Sequence, residues 1–216
     1  MLTIALLSDF HINSKYCDYK SLYKAIKEVN EKADAVLVAG DVTDGRGVYV
    51  GQDYNLESLE INDMIEKTGN IMSMFNKPLY WIQGNHDFRL YKKYGVDISK
   101  FLNEWNYLGV YEGDTEIAGK HFRLLHPDGG VPYSKSYVPQ KYLRNLNLKK
   151  ENLNWLILGH LHTSYYFLVQ GVHCVGVPSF QHITEYARRK GFGEEIGYWL
   201  IRFNKKRTKL EERLMN

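Results

Sequence analysis

Cysteine is nearly absent from this chain. Cys17 and Cys174 are too few for a disulfide framework or a thiolate metal site, and a reducing, cytoplasmic setting is the expectation. Long apolar runs are missing as well: no stretch nears the ~20 residues of a membrane helix, so no membrane partner is expected. The apolar start Leu2–Leu7 lacks a basic leader and a small-residue cleavage site, and it runs straight into Ser8-Asp9, which argues against a signal peptide. Nor is there much charge of one sign. A formal net charge of +3 permits a polyanionic partner without requiring one. No repeat, low-complexity segment or long linker divides the chain, so 1–216 is expected to be a single α/β domain with a full core.

What is present is an alternation of strands and helices. Leu2–Leu7 reads as a strand buried on both faces, and Leu22, Ile26 and Val29 recur at helical spacing over about 18–32. Ala35–Ala39 is a second strand, followed by a loop with glycines at 45, 47 and 51. Ile61, Met64, Ile65, Thr68, Met72 and Phe75 outline a second helix, and Pro78 opens a third strand that ends at Gln83. This order implies parallel strands with right-handed crossovers. Beyond Asp87 the pattern changes. The stretch 88–105 reads as helical with Phe101, Leu102 and Trp105 inward. Short strands follow at 110–111, 115–118 and 121–125, with a hairpin turn at Ala118-Gly119-Lys120. A helix near 137–148, a buried strand Trp155–Leu158, two strands flanking Gly171 and a last strand Ile196–Phe203 complete the pattern. Late antiparallel strands added to a parallel core suggest two packed mixed sheets. The tail from Lys205 alternates charges and reads as a solvated end.

The ends of the strands carry the chemistry. Asp9 and His11, then Asp41 and Asp44, Asn85 and His86, His126, and finally His160 and His162 each follow an apolar run. A lone Asp or His there is ordinary turn chemistry. Most of the chain's eight histidines at such positions, beside Asp, Asn or Gly, is a specific joint pattern. Neighbouring strands deliver their carboxyl ends to one edge, where ligands of open α/β sheets bind. In the spacings Asp-x-His and His-x-His, alternate residues can face one point. Oxygen and imidazole donors without thiolate suit manganese, iron or zinc rather than an iron–sulfur cluster, and the donors outnumber the needs of one tetrahedral ion.

Asp9-x-His11, Gly40-Asp41-x-x-Asp44, Gly84-Asn85-His86-Asp87, His126 and Gly159-His160-x-His162 together resemble, in order, the motifs of the calcineurin-like metallophosphoesterase superfamily. The resemblance implies a four-layer α/β/β/α sandwich, two mixed sheets flanked by helices. It implies two divalent metal ions, manganese first, with iron, zinc or nickel as alternatives. Asp9, His11 and His162 would bind one ion, Asn85, His126 and His160 the other, and Asp41 both. His86 would be the acid at the leaving group, Asp44 its partner, and Asp87 a shaper of the loop. Two points depart from the usual pattern: His126 is followed by Pro127-Asp128-Gly129-Gly130, and Gly45 separates Asp44 from Arg46, a candidate phosphate clamp.

Cations a few ångströms apart activate water and clamp phosphoryl oxygens, so the expected activity is hydrolysis of a phosphate ester. A nucleotide or nucleic-acid phosphodiester is the first expectation for the substrate. A phosphomonoester is the second, and a non-catalytic scaffold of the same fold is the reading from another class. Selectivity is expected in the edge segments 43–57, 88–105, 127–142 and 178–195. There Tyr133, Lys135, Tyr137 and Lys141, and then Tyr186, Arg188, Arg189 and Lys190, mix aromatic and basic groups. Outside the motifs, His182 is a candidate cleft residue, His121 is expected at the surface and His173 in a structural role.

Overall fold

A computed structural model describes residues 1–130, 132–191, 193–204 and 207–215. The parallel core consists of β1 (Leu2–Leu7), β2 (Ala35–Val38), β3 (Leu79–Gln83) and β4 (Asn106–Val110), with α1 (Tyr19–Lys32), α2 (Ile61–Met72) and α3 (Asn85–Tyr94) as crossovers. Asp18 caps α1 by accepting from the Ser21 amide at 3.0 Å, and Leu22, Ala25, Ile26 and Val29 form its buried stripe. Then come β5 (Glu112–Ile117), β6 (Lys120–Leu125), α4 (Tyr137–Arg144), α5 (Leu148–Glu151), β7 (Trp155–Leu158), β8 (Tyr165–Val169) and β9 (Val172–Gly176). The short helix α6 (Glu185–Arg189), β10 (Gly197–Phe203) and β11 (Thr208–Leu214) end the order.

Among the described residues the strands form two mixed sheets. One has six strands in the order β11-β10-β1-β2-β3-β4, the other five in the order β5-β6-β7-β9-β8. Ile4, Leu6, Leu37, Ile82 and Ile201 of the first sheet meet Phe122, Leu124, Trp155, Ile157 and Val175 of the second in one apolar layer. The outer face of the first sheet packs on α1 and α2 through Leu22, Ile26, Val29 and Met64. That of the second packs on α4 through Leu143. The result is the four-layer α/β/β/α sandwich.

Several local expectations are corrected. The helix expected within 88–105 begins earlier, at Asn85, so the Asn-His-Asp segment is its first turn. It ends where Gly95 takes the left-handed conformation at φ +72°. Phe101 is 59% exposed rather than inward, whereas Leu102 is buried. The helix near 137–148 breaks after Arg144 and resumes at Leu148. The charged tail is a strand: Lys205 lies outside the described residues, but Thr208–Leu214 pairs antiparallel with β10 from Phe203↔Thr208 to Gly197↔Leu214. Its alternating charges are the solvent face of an edge strand, a usual protection against edge-to-edge pairing. Removing residues 205–216 should uncover β10 and strip Leu210 from the inter-sheet layer. The cost is about 2 kcal/mol, within the range for the partly buried side chains of Leu210 and Met215 together. At roughly 2–4 °C per kcal/mol for a chain of this size, a thermal melt should fall by about 4–8 °C, with metal uptake unchanged.

Candidate metal centre

The carboxyl ends of β1, β2, β3, β6 and β7 lie along one edge and bring Asp9, His11, Asp41, Asp44, Asn85, His86, His126, His160 and His162 together there. His162 Nε2 is 3.2 Å from Asp9 Oδ1 and 3.0 Å from His11 Nε2. His126 Nε2 is 3.1 Å from Asp41 Oδ2 and 3.1 Å from Asn85 Oδ1. His11 Nδ1 meets Asp44 Oδ1 at 2.9 Å, and His86 Nδ1 meets the Asp44 carbonyl at 2.7 Å. Their donor atoms fall into overlapping trios, each within 4.8 Å: Asp9, His11 and His162; His11, Asp41 and His86; and Asp41, His126 and His160. Asp41 is common to two of them.

Backbone strain, rather than strand alternation, aims these groups. Asp9, His11, Asp41, His160 and His162 all have φ between 48° and 71°, the left-handed region that side chains with a Cβ seldom occupy. In that conformation the side chain leaves the backbone in a direction that an extended strand would not give it. The strain is held by hydrogen bonds: the Asp9 amide to the Gly40 carbonyl (2.9 Å), the His11 amide to the Asp41 carbonyl (3.0 Å), and the His160 amide to the Asp9 carboxylate (2.9 Å). Asp87 ties two strand exits together, accepting from the amides of Thr43 and Gly84, each at 2.9 Å, and of Val42 at 3.2 Å. At the start of α3 the His86 amide donates to Asp41 Oδ1 at 2.9 Å, a helix N-terminus facing a carboxylate.

Close approach explains Gly84. A Cβ there would collide with Asp41 Oδ1 and lie 2.7 Å from both the Asp41 amide nitrogen and His126 Cε1. Gly84→Ala should therefore push Asp41 and His126 apart. A folded protein destabilised by roughly 1–3 kcal/mol and weakened in metal binding is the expected outcome, read by thermal melting and metal content.

The centre is buried and strongly coupled. Burial would raise the Asp41 carboxyl, but His126 and His86 outweigh it and hold it well below the carboxylate range. Asp9 is lowered against burial by His162, and Asp44 against burial by bonds from His11 and His86. Burial opposes charge on His86, yet Asp41 and Asp44 push it up to about 10. Asp41 likewise pushes His126 up to about 9. Burial and the charge on His126 push His160 down to about 4, and burial with His86 lowers His11. Burial and Asp41 raise Asp87 to about 7. Buried carboxylates thus draw positive charge into a small volume.

The donor set fits divalent cations. His126 Nδ1 sits 2.8 Å from the Ala39 carbonyl, which places a proton on that nitrogen. A neutral His126 would then aim its Nε2 lone pair at two oxygens, those of Asp41 and Asn85; a proton or a cation in the gap removes the conflict. Similarly, Asp44 holds the proton of His11 on Nδ1 and leaves Nε2 as a donor, and Gly129 does the same for His160 through Nε2 at 2.7 Å.

Sequence reasoning missed two carboxamides. Gln52 Nε2 donates to the Asp44 carbonyl (2.7 Å) and Oδ2 (3.2 Å), while Gln181 Nε2 donates to Asp44 Oδ1 (3.1 Å) and Ser14 Oγ (3.1 Å). Gln181 lies in the edge segment 178–195 and Gln52 in 43–57, but neither glutamine was singled out there. Arg46 is not at the centre: its guanidinium bonds the Leu59 carbonyl at 2.8 Å and Asp53 at 3.2 Å, away from the cluster. His182 does line the cleft, with its ring held by Glu194 at 2.7 Å. His121 is half-buried, with Nδ1 2.9 Å from the Glu151 carbonyl, and His173 stacks on Trp155 with centroids 4.3 Å apart. Both cysteine thiols are buried, and burial pushes Cys174 up to about 12. Among the described residues no helix is long and apolar enough to cross a membrane.

The chain is similar to several known proteins. The chain is 24% identical to the DNA polymerase II small subunit of Methanocaldococcus jannaschii, over 87% of this chain and 40% of that protein. It is 27% identical to the UDP-2,3-diacylglucosamine hydrolase of Shewanella baltica, over 67% of this chain and 55% of that one. The chain thus spans about half or less of the length of these curated relatives. An archaeal phosphodiesterase of known structure has the same fold, with a TM-score of 0.56 at 16% identity over 98% of this chain and 99% of its own. The model of calcineurin-like phosphoesterases matches residues 2–164, a span that opens at β1 and closes just past His162, so the whole cluster lies inside it and the chain belongs to that family.

Proposed function

We propose that this chain is a two-metal phosphodiesterase that hydrolyses a nucleotide or nucleic-acid phosphodiester. The observation that carries the reading is the buried Asp41 carboxylate, in one trio with His126 and His160 and in another with His11 and His86, the latter joined through His11 to the trio of Asp9, His11 and His162. In this reading Asp9, His11 and His162 hold one ion, Asn85, His126 and His160 the other, and Asp41 both. A pair of divalent cations, manganese first, would polarise the phosphoryl oxygens and lower the pKa of the attacking water.

The remaining steps belong to the chain. Hydrolysis forms one P–O bond to water and breaks the P–O bond to the leaving alkoxide, which needs a proton. His86 lines the cleft, and its Nδ1 is engaged by Asp44, so Nε2 is the nitrogen left to donate. Nearby cations would strip the imidazolium of its proton; Asp44, 3.3 Å from Nδ1 through Oδ1, opposes that and fixes the ring. Gln52 and Gln181 in turn hold the Asp44 carboxylate. Similarity over 87% of the chain to a DNA polymerase subunit supports a nucleotide or nucleic-acid setting.

The test compares bis-p-nitrophenyl phosphate with p-nitrophenyl phosphate, with Mn²⁺ present. Faster cleavage of the diester is expected. Preference for the monoester would move the reading to a phosphomonoesterase. Inactivity on both, with every divalent ion tried, would leave a scaffold and end the proposal.

A further inference from the structure

The metal cluster forms the floor of a cleft of about 330 Å³. One wall is a pair of tyrosines from segments far apart in sequence: Tyr49 in the loop after Asp44, and Tyr186 in α6. Their rings stack with centroids 4.8 Å apart and planes 16° from parallel. The Tyr49 hydroxyl accepts from Asn55 Nδ2 at 3.0 Å, and Lys190 lies over the Tyr186 ring at 5.9 Å, so the platform is braced before any ligand arrives. Tyr186 remains 39% exposed, and Val48, Ile183 and Ala187 continue the apolar surface.

Charge narrows what this wall can receive. Among the described residues lining the cleft there is no lysine or arginine, and Asp128 stands on its rim. The basic groups of α6 and its flank, Arg188, Arg189 and Lys190, are not part of the lining. A second phosphate in the cleft would meet apolar rings and a carboxylate, with the Lys190 ammonium over the Tyr186 ring but outside the lining. A flat, uncharged aromatic group meets what stacking requires. The volume lies at the low end of small-molecule pockets, about 300–1,000 Å³, and suits one mononucleoside rather than a longer chain.

We infer that the Tyr49–Tyr186 wall is a base-binding subsite, selecting esters with a single phosphate and one aromatic group of mononucleoside size. The inference rests on the phosphodiesterase reading only for the place of the phosphate. The stacked pair gives affinity to the organic part of the ester, and the cation-poor lining rejects further phosphates.

Calorimetric titration of the full chain in Mn²⁺ with adenosine 5′-monophosphate and with ribose 5-phosphate tests this, because the two ligands differ by the base alone. The nucleotide should bind about tenfold more tightly, the scale of base–aromatic stacking. Tyr186→Ala should abolish the difference while leaving ribose 5-phosphate unchanged, and Tyr186→Phe should preserve it. Equal binding of the two ligands to the wild-type chain would overturn the inference, as would an equal loss of both in Tyr186→Ala while Tyr186→Phe behaves as wild type. Tighter binding of a single-stranded oligothymidylate than of the mononucleotide, lost on Lys92→Ala, would also overturn it. Recognition would then lie on the surface of α3, where Lys92 covers the rings of Phe88 and Tyr111 at 5.0 and 5.6 Å. None of these titrations needs turnover. A chain that prefers the nucleotide yet cleaves no ester would keep the subsite and lose the phosphodiesterase reading.

Discussion

Replacing His86 with alanine is expected to leave two metal ions bound and to slow hydrolysis of esters with poor leaving groups by about 10²–10⁴-fold, the usual contribution of a general acid. The effect should depend on the leaving group. A p-nitrophenolate departs without a proton and should lose far less than an alkoxide does. His86 also has a competing role, since its donor atom lies in a trio with His11 and Asp41. Metal content separates the two. Loss of an ion from His86→Ala would make it a ligand, and full metal content with an equal loss on both kinds of ester would remove it from the proton transfer. Asp44→Asn should reproduce the leaving-group dependence in weaker form, because Gln52, Gln181, His11 and His86 all converge on that one carboxylate.

The strands that carry the centre were legible for a simple reason. β1, β2, β3 and β7 are buried on both faces, so their sequences are near-continuous apolar runs, and each stops abruptly at a polar exit. The edge strands β4 and β11 were not legible, since their half-exposed faces carry mixed residues such as Asn106 and Glu211-Glu212. Which residues meet at the sheet edge could be read from the order of motifs. How they are aimed could not: a left-handed Asp9 or His162 looks in sequence like any other. Arg46 shows the same limit from the other side, because Asp53 and the Leu59 carbonyl decide its direction, and both lie in the fold rather than in the motif. Gln52 reaches Asp44 by the path of a loop, for which composition holds no sign.

Removing the Asp41 carboxylate is expected to have the largest effect of any single substitution. Its side chain is 1% exposed, and its oxygens take the His86 amide at 2.9 Å and face His126 at 3.1 Å and His11 at 4.0 Å. Such a charge is stable in the interior only with positive partners. In the metal-free protein the imidazoles of His126 and His86 supply them; divalent cations would supply them more strongly. Wild-type protein given Mn²⁺ at a hundredfold excess over Kd should gain about 2.7 kcal/mol per site. At ~2–4 °C per kcal/mol that is a rise of about 5–10 °C in Tm for each ion. In Asp41→Asn the amide keeps the shape and loses the charge, so the Mn²⁺-dependent rise should shrink to near zero and activity should fall by at least about 10³-fold. The melting curve makes the test independent of catalysis. An Asp41→Asn protein that still gains the full rise and retains two ions would show that Asp41 is not the carboxylate common to both ions, and its bridging role would fall.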